Sequence, residues 1–490
     1  MSTKIKAKRR SGFLLLLTVL PALFLLQACP KIDPDADPDN PDAGAKRFLL
    51  TRCMNVYYYW RDEVMDRNAG IDASACDIYA YFDTLLYAGD RWSWMCDREY
   101  YVSDETGVLS GTWGVSMGQA FEGYDDYGLR VRYIHPGSPL ERFGITRGAE
   151  LRRIGNVNVA FDEEGFSAEK ARYFQEHFYE SPQNFTFRLT DGRDTTFTAA
   201  MTDQLSIRSS LIAEVFRPGD YPGLTEPVGY FHYLSFKAGF LDDIEQAMRT
   251  FRSAGVRKLI VDLRYNGGGD ARASELLVNC LAPASAVGKP YVIRKHNDYL
   301  AQLDKAYTDE ENTYTIGTSD CSLTLDGLYF ITGAGTASAS EMVINGLKPY
   351  YGDRLQMVGD TTYGKPNGMY VILYPGTDKD YAAYDKGDYS GLKWAFLPIC
   401  FFNQNALGQL IPQTGFIPDS YRPDDLFHDF GVEEESIRTC LARIVGGAYP
   451  PFPVRASSVA VRSSGRSGYR IDTKEDSPRY GRYTVHKAVF

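Results

Sequence analysis

Histidine is scarce in this chain, six in 490 residues, and no two stand at a metal-ligand spacing. The eight cysteines include no Cys-x-x-Cys pair, and no zinc site is visible. No metal and no cofactor is therefore expected. Excess positive charge is also missing: 53 Lys and Arg stand against 63 Asp and Glu, a net charge of −10 that argues against a nucleic-acid partner. Beyond the first 26 residues no stretch is a candidate membrane span. What the chain has in quantity is apolar side chains, 44% of the total, ample for the cores of about three domains.

The N-terminus carries Lys4, Lys6, Lys8, Arg9 and Arg10, then an apolar stretch from Gly12 to Leu26 interrupted by Pro21, then Leu26-Gln27-Ala28-Cys29. Basic, apolar and small-residue regions in this order read as an export signal. Because the signal ends on cysteine, residues 1–29 resemble a bacterial lipoprotein signal in which Cys29 is lipidated; plain secretion with a free Cys29 is the alternative. Acyl chains would hold an otherwise soluble protein on a membrane of the bacterial cell envelope, facing the periplasm or the cell surface. Residues 30–45, rich in Asp and Pro, read as a solvated tether. Seven cysteines then remain, and one disulfide among Cys53, Cys76 and Cys96 is expected in an oxidising compartment, with buried free thiols as the alternative.

Two segments carry chemistry. In residues 228–270 a strand from Val228 to Leu234, an amphipathic helix from Phe240 to Ala254 and a second strand from Lys258 to Leu263 make a β-α-β unit ending in Arg-Tyr-Asn-Gly-Gly-Gly. A glycine turn at the C-terminal end of such a strand is the usual place for a site in an open α/β sheet, and its N–H groups can face a substrate oxygen. It lacks the Lys-Ser/Thr of a nucleotide-binding loop. In residues 327–365 an apolar strand breaks at Gly333 and Gly335, passes through a Ser-rich turn and opens a helix near Ala339. A serine at that turn, Ser338, stands where orphan N–H groups and the helix dipole favour a developing oxyanion. Glu341 follows one turn later, and Lys365 sits in a Gly-Lys turn after a further apolar strand. A Ser-Lys hydrolase reads from this arrangement; an ordinary capping loop reads from it too, since Ser is a preferred N-cap.

Asp262-Leu263-Arg264-Tyr265-Asn266-Gly267-Gly268-Gly269, Ser338-Ala339-Ser340-Glu341 and Tyr363-Gly364-Lys365, in this order, resemble the motifs of the carboxyl-terminal processing peptidases, or tail-specific proteases, over residues 108 to 443. The resemblance implies an α/β multidomain protein: a crotonase/ClpP-like β-β-α spiral catalytic domain with a PDZ domain and a small helical N-terminal domain. It implies Ser338 as nucleophile with Ser340 a neighbour, Lys365 as general base, Glu341 as a third member, and an oxyanion hole from the N–H groups of Ala339 and Gly268. A lysine serves as base only when partly desolvated, so that its neutral form can take the serine proton. Three departures stand out. Where some members carry an Asp after the nucleophile this chain reads Lys348-Pro349-Tyr350-Tyr351, where others carry a Gln beyond the lysine it has Met369, and Pro366 follows the lysine.

Residues 106–203 resemble a PDZ domain, with Gly114-Val115-Ser116-Met117 as the carboxylate-binding loop and strand; any small β-rich domain is the alternative. Such domains add an extended peptide to a sheet edge, so substrates with apolar C-termini are the expected partners. Residues 46–105 read as a helical N-terminal domain, 204–444 as the catalytic domain and 445–490 as a flexible tail. His135, His232 and His428 sit in no triad motif. The expected function is a serine endopeptidase acting on extracytoplasmic proteins. A catalytically inert, peptide-binding lipoprotein is the second reading, and an acyl-CoA enzyme on the same fold a third, which the export signal opposes.

Overall fold

The computed structural model describes residues 42–122, 126–160 and 167–451, and the backbone of 467–471 and 485–489. Cys29, the rest of the signal and most of the 30–45 tether lie outside the described residues; the first helix begins at Ala43, inside the expected tether.

The centre of the fold is a six-stranded sheet in the order Ser210–Phe216, Val228–Tyr233, Lys258–Asp262, Gly327–Thr332, Leu355–Gly359, Ser420–Tyr421. Only the first pairing is antiparallel. The strands VGYFHY and GLYFIT are buried at every position, the pattern of parallel strands covered on both faces. Helix Leu241–Ser253 makes the crossover from Val228–Tyr233 to Lys258–Asp262; its buried Ile244, Ala247, Met248 and Phe251 recur at the spacing of one helical face. Helices Ala271–Leu281 and Ala339–Tyr351 pack in the same core, while Glu435–Gly446 covers the opposite face through Ile437, Cys440 and Leu441.

A second sheet, in the order Thr313–Thr315, Pro290–His296, Ile399–Gln404, Asn367–Met369, joins two strands that precede Lys365 in sequence to two that follow it. The N-terminal segment is helical as expected over Arg61–Asn68 and Ile78–Leu85, with π-helical winding over Leu49–Tyr57. It does not close its own core. Tyr58, Tyr81 and Phe82 pack with Ile372, Tyr374 and Phe396, and strand Trp94–Asp97 pairs with Trp394–Leu397.

Residues 108–203 form a separate antiparallel sheet in the order Val115–Glu122, Asp126–Ile134, Glu150–Ile154, Gln183–Arg188, Asp194–Ala199, with helix Ala168–His177 on it. Alternating Val115, Met117, Leu129, Val131, Phe185 and Phe187 fill its core with Trp113, Phe174 and Phe178. In the tail, expected to be a flexible extension, Ser467–Ile471 pairs antiparallel with Val485–Val489. The disulfide joins Cys280 and Cys321, with Cα atoms 5.6 Å apart, and not any of Cys53, Cys76 and Cys96, which are free thiols. Sequence order misled here because helix Ala271–Leu281 and the loop before Gly327–Thr332 meet only in the folded core.

Candidate active site

Strand Gly327–Thr332 ends at the C-terminal edge of the sheet, and its chain turns into helix Ala339–Tyr351 through Ser338. Ser338 holds φ 55° and ψ −114°, a conformation that L-residues avoid and that persists only where the surroundings enforce it. Those surroundings are identifiable. The Ala337 N–H and the Ser340 hydroxyl both donate to Asn266 O, at 3.1 and 3.0 Å, which pins the Ser-rich turn to the glycine turn. Ser340 is thereby buried and engaged, whereas Ser338 is half-buried.

Glu341 is fully buried and its carboxylate accepts four hydrogen bonds. Oε1 takes the Thr362 hydroxyl at 2.6 Å and the Gly364 N–H at 2.8 Å; Oε2 takes the Ser338 N–H at 3.1 Å and the Lys365 N–H at 2.8 Å. Burial raises its pKa, against the four donors, which lower it. Three of the donors are backbone amides that can only donate, so the ionised form matches the site. The carboxylate thus ties the backbone of the expected nucleophile to the backbone of the expected base, which lies 24 residues beyond Glu341 itself. Thr362 extends the link by accepting the Phe416 N–H at 2.7 Å. Lys365 is half-buried in a turn held open by Gly364, where a Cβ would sit 2.3 Å from Gln413 O.

Gly268 lies directly against the serine: a Cβ there, at φ +103°, would be 2.7 Å from Ser338 Cβ and 2.9 Å from Ala339 N. Only glycine allows this approach. Its N–H, however, donates to Asn266 Oδ1 at 2.9 Å and is not turned toward the serine, a departure from the oxyanion role expected for it. Asn266 holds the turn from inside, with Nδ2 donating to Tyr233 O at 2.8 Å. Ala339 opens the helix, where N–H groups have no intrahelical acceptor.

The histidines lie elsewhere. The His232 ring packs on Phe430 at 4.6 Å, and burial lowers its pKa to about 4; His428 Nδ1 contacts Asp425 Oδ2 at 2.7 Å. His135 is buried beside Tyr133. Gly114 has φ +64° and donates its N–H to Thr112 Oγ1 at 2.9 Å, and Val115, Ser116 and Met117 are all buried in the small sheet. Among the described residues no cluster of His, Cys, Asp and Glu can hold a metal ion, and no helix is long and apolar enough to cross a membrane.

Two features escaped the sequence. Thr362 carries no motif, and its role follows only from its place between Glu341 and Phe416. Arg147 of the small sheet reaches into the glycine-turn segment: it is 4% exposed and donates to Tyr265 Oη at 2.9 Å and Asp424 Oδ1 at 3.0 Å. Tyr265 has φ +66° and donates to Asp424 Oδ2 at 2.6 Å. Beneath it, Asp262 meets Arg264; burial opposes ionisation of Asp262, but the guanidinium prevails and holds its pKa near about 2.

Residues 227–388 match Peptidase family S41 and residues 46–94 match the Peptidase S41 N-terminal domain. The chloroplastic carboxyl-terminal-processing peptidase 3 of Arabidopsis thaliana is 27% identical over 313 residues, covering 60% of this chain and 53% of that protein. The chloroplastic carboxyl-terminal-processing peptidase 2 of the same plant is 23% identical over 273 residues, covering 54% and 48%. The chain spans about half the length of these curated relatives. A crystal structure of a candidate S41 protease from Bacteroides fragilis shares the fold, with a TM-score of 0.61 at 20% identity over 86% of this chain and 100% of that one. The chain thus carries two segments that match models of peptidase family S41, and carboxyl-terminal processing peptidases are among its relatives.

Proposed function

We propose that the chain is a serine endopeptidase in which Ser338 is the nucleophile, Lys365 the general base and Glu341 the residue that positions both. The observation that carries this reading is the shared Glu341 carboxylate, which holds the backbone N–H groups of Ser338 and Lys365 on one oxygen. In the reaction, Ser338 Oγ attacks the scissile carbonyl as its proton passes to neutral Lys365 Nζ. The tetrahedral oxyanion forms beside the Ala339 N–H, and the proton then goes to the leaving amine. Water, deprotonated by the same lysine, releases the acyl group and restores Ser338. Gly268 joins the oxyanion hole when its N–H leaves Asn266 Oδ1, a small rotation of the glycine turn that substrate binding drives.

Residues 106–203 act as a PDZ domain in this reading, with Gly114 to Met117 receiving the apolar C-terminus of a substrate. Cys29 carries the lipid anchor that places the enzyme on the cell envelope, and the catalytic domain has the crotonase-like spiral. The test is cleavage of an unfolded protein with an apolar C-terminal tail by the unaltered chain and by Ser338→Ala and Lys365→Ala. Each substitution is expected to reduce turnover about 10⁴-fold or more while tail binding persists. Tail binding without turnover by the unaltered chain would point instead to the inert peptide-binding lipoprotein.

A further inference from the structure

Strand Val115–Glu122 is the outer strand of its sheet, paired with Asp126–Ile134 on one side only. An edge strand presents a row of backbone donors and acceptors and is ordinarily covered. Here a tail segment approaches it. Ser467–Ile471 runs near the edge strand, and its antiparallel partner Val485–Val489 runs near helix Ala168–His177. The hairpin therefore spans from the edge strand to the helix, the two elements between which an extended peptide would be received if this unit is a PDZ domain.

Charge favours the same placement. Residues 452–490 hold eight Lys and Arg against three Asp and Glu, whereas residues 106–203 hold ten against fourteen. The sequence of that unit includes the acidic stretches Glu122-Gly-Tyr-Asp-Asp126 and Asp162-Glu-Glu164. A basic segment tethered to an acidic domain is drawn to it at any protein concentration, because a short linker fixes an effective concentration in the millimolar range.

We infer that the surface running from the edge strand Val115–Glu122 to helix Ala168–His177 is a docking surface whose resident occupant is the chain's own strand pair Ser467–Ile471 and Val485–Val489, which incoming peptides must displace. This rests on the peptide-binding reading of residues 106–203. The experiment compares the full chain with a variant ending at Pro451 and with full-length Arg470→Pro, which breaks the hairpin at the Arg470–His486 pair. Two readouts are taken: amide hydrogen exchange in Val115–Glu122, and the affinity of a fluorescent peptide with an apolar C-terminus. Both variants are expected to exchange faster in that strand and to bind the peptide about tenfold more tightly, and a synthetic 467–489 peptide should slow exchange again in the shortened chain. Faster exchange without any peptide binding would keep the docked hairpin and sink the peptide-recognition reading. Unchanged exchange with unchanged affinity would overturn the inference while leaving that reading in place, and unchanged exchange with no peptide binding at all would overturn both.

Discussion

Among single residues, Glu341 does most to explain how this site is assembled. Its sequence context suggests a group that orients the lysine amine or the helix by hydrogen bonding; in the structure its carboxylate accepts the backbone N–H groups of both Ser338 and Lys365. That difference is testable. Glu341→Gln keeps the volume but brings an NH₂ group against donors, since each carboxylate oxygen already accepts two. At least one donor pair then faces another donor, at a cost of about 1–3 kcal/mol. The expected outcome is a melting temperature lowered by several degrees and, in the folded enzyme, kcat reduced about 10²-fold with KM little changed. A drop in stability with kcat intact at low temperature would assign Glu341 to the scaffold alone. Glu341→Asp, which keeps the charge, is expected to restore part of the rate.

For the sheet and its covering elements, the buried titratable groups make a prediction about pH. His232, on the fully buried strand Val228–Tyr233, has its pKa lowered by burial from the ordinary value near 6.5 to about 4, and His135 and His296 are lowered likewise. A depressed pKa means that the unfolded chain takes up the proton first as pH falls. The contribution of each to stability is thus complete above about pH 6.5 and is lost on descending to about pH 4, at about 1.4 kcal/mol per pH unit. Asp262, held near about 2, adds a further loss between about pH 4 and 2. Denaturant titrations from pH 7 to 4 are expected to show stability falling steeply, and His232→Phe to flatten that fall by roughly 3 kcal/mol. An unchanged slope in the variant would show that His232 is not a source of it. The elements themselves were largely legible: the β-α-β unit and the helix opening at Ala339 follow from apolar runs and glycine turns. Their exact ends were less so, since the helix expected from Phe240 begins at Leu241 after a 3₁₀ turn and the strand expected to reach Leu263 stops at Asp262.

At the scale of the whole molecule, the units meet through buried polar contacts. Arg147 bonds Tyr265 and Asp424, donates to Asp425 O at 2.8 Å and His428 O at 3.1 Å, and lies 4.1 Å from the Phe430 ring. Gly148 beside it would place a Cβ 2.7 Å from Leu426 O, so the backbones also approach closely. Tyr265 immediately precedes Asn266, which holds both the serine turn and the Gly268 N–H. Removing Arg147 leaves the half-buried Asp424 with only Arg264 and the Tyr265 hydroxyl, and Tyr265 without one partner. Arg147→Met is therefore expected to destabilise the contact by about 3–5 kcal/mol. Limited proteolysis should then cut between the units, and turnover of a short peptide should fall although no group at the serine has changed. Resistance to proteolysis equal to that of the unaltered chain would remove Arg147 as the clamp.

The sequence by itself determined the chemistry that is local: which serine opens a helix, which lysine sits in a Gly-Lys turn, and where three glycines permit close approach. These depend on a few consecutive residues, so short motifs carry them. Only the tertiary structure decided that Glu341 joins Ser338 to Lys365, that Thr362 and Phe416 extend that link, and that the N-terminal helices borrow Phe396 and Tyr374 for their core. It alone paired Cys280 with Cys321. The physical reason is the same in each case. A buried carboxylate, an aromatic core and a disulfide are completed by whichever groups the sheet brings within reach, and residues far apart in the chain carry no local pattern that records which neighbours they will have.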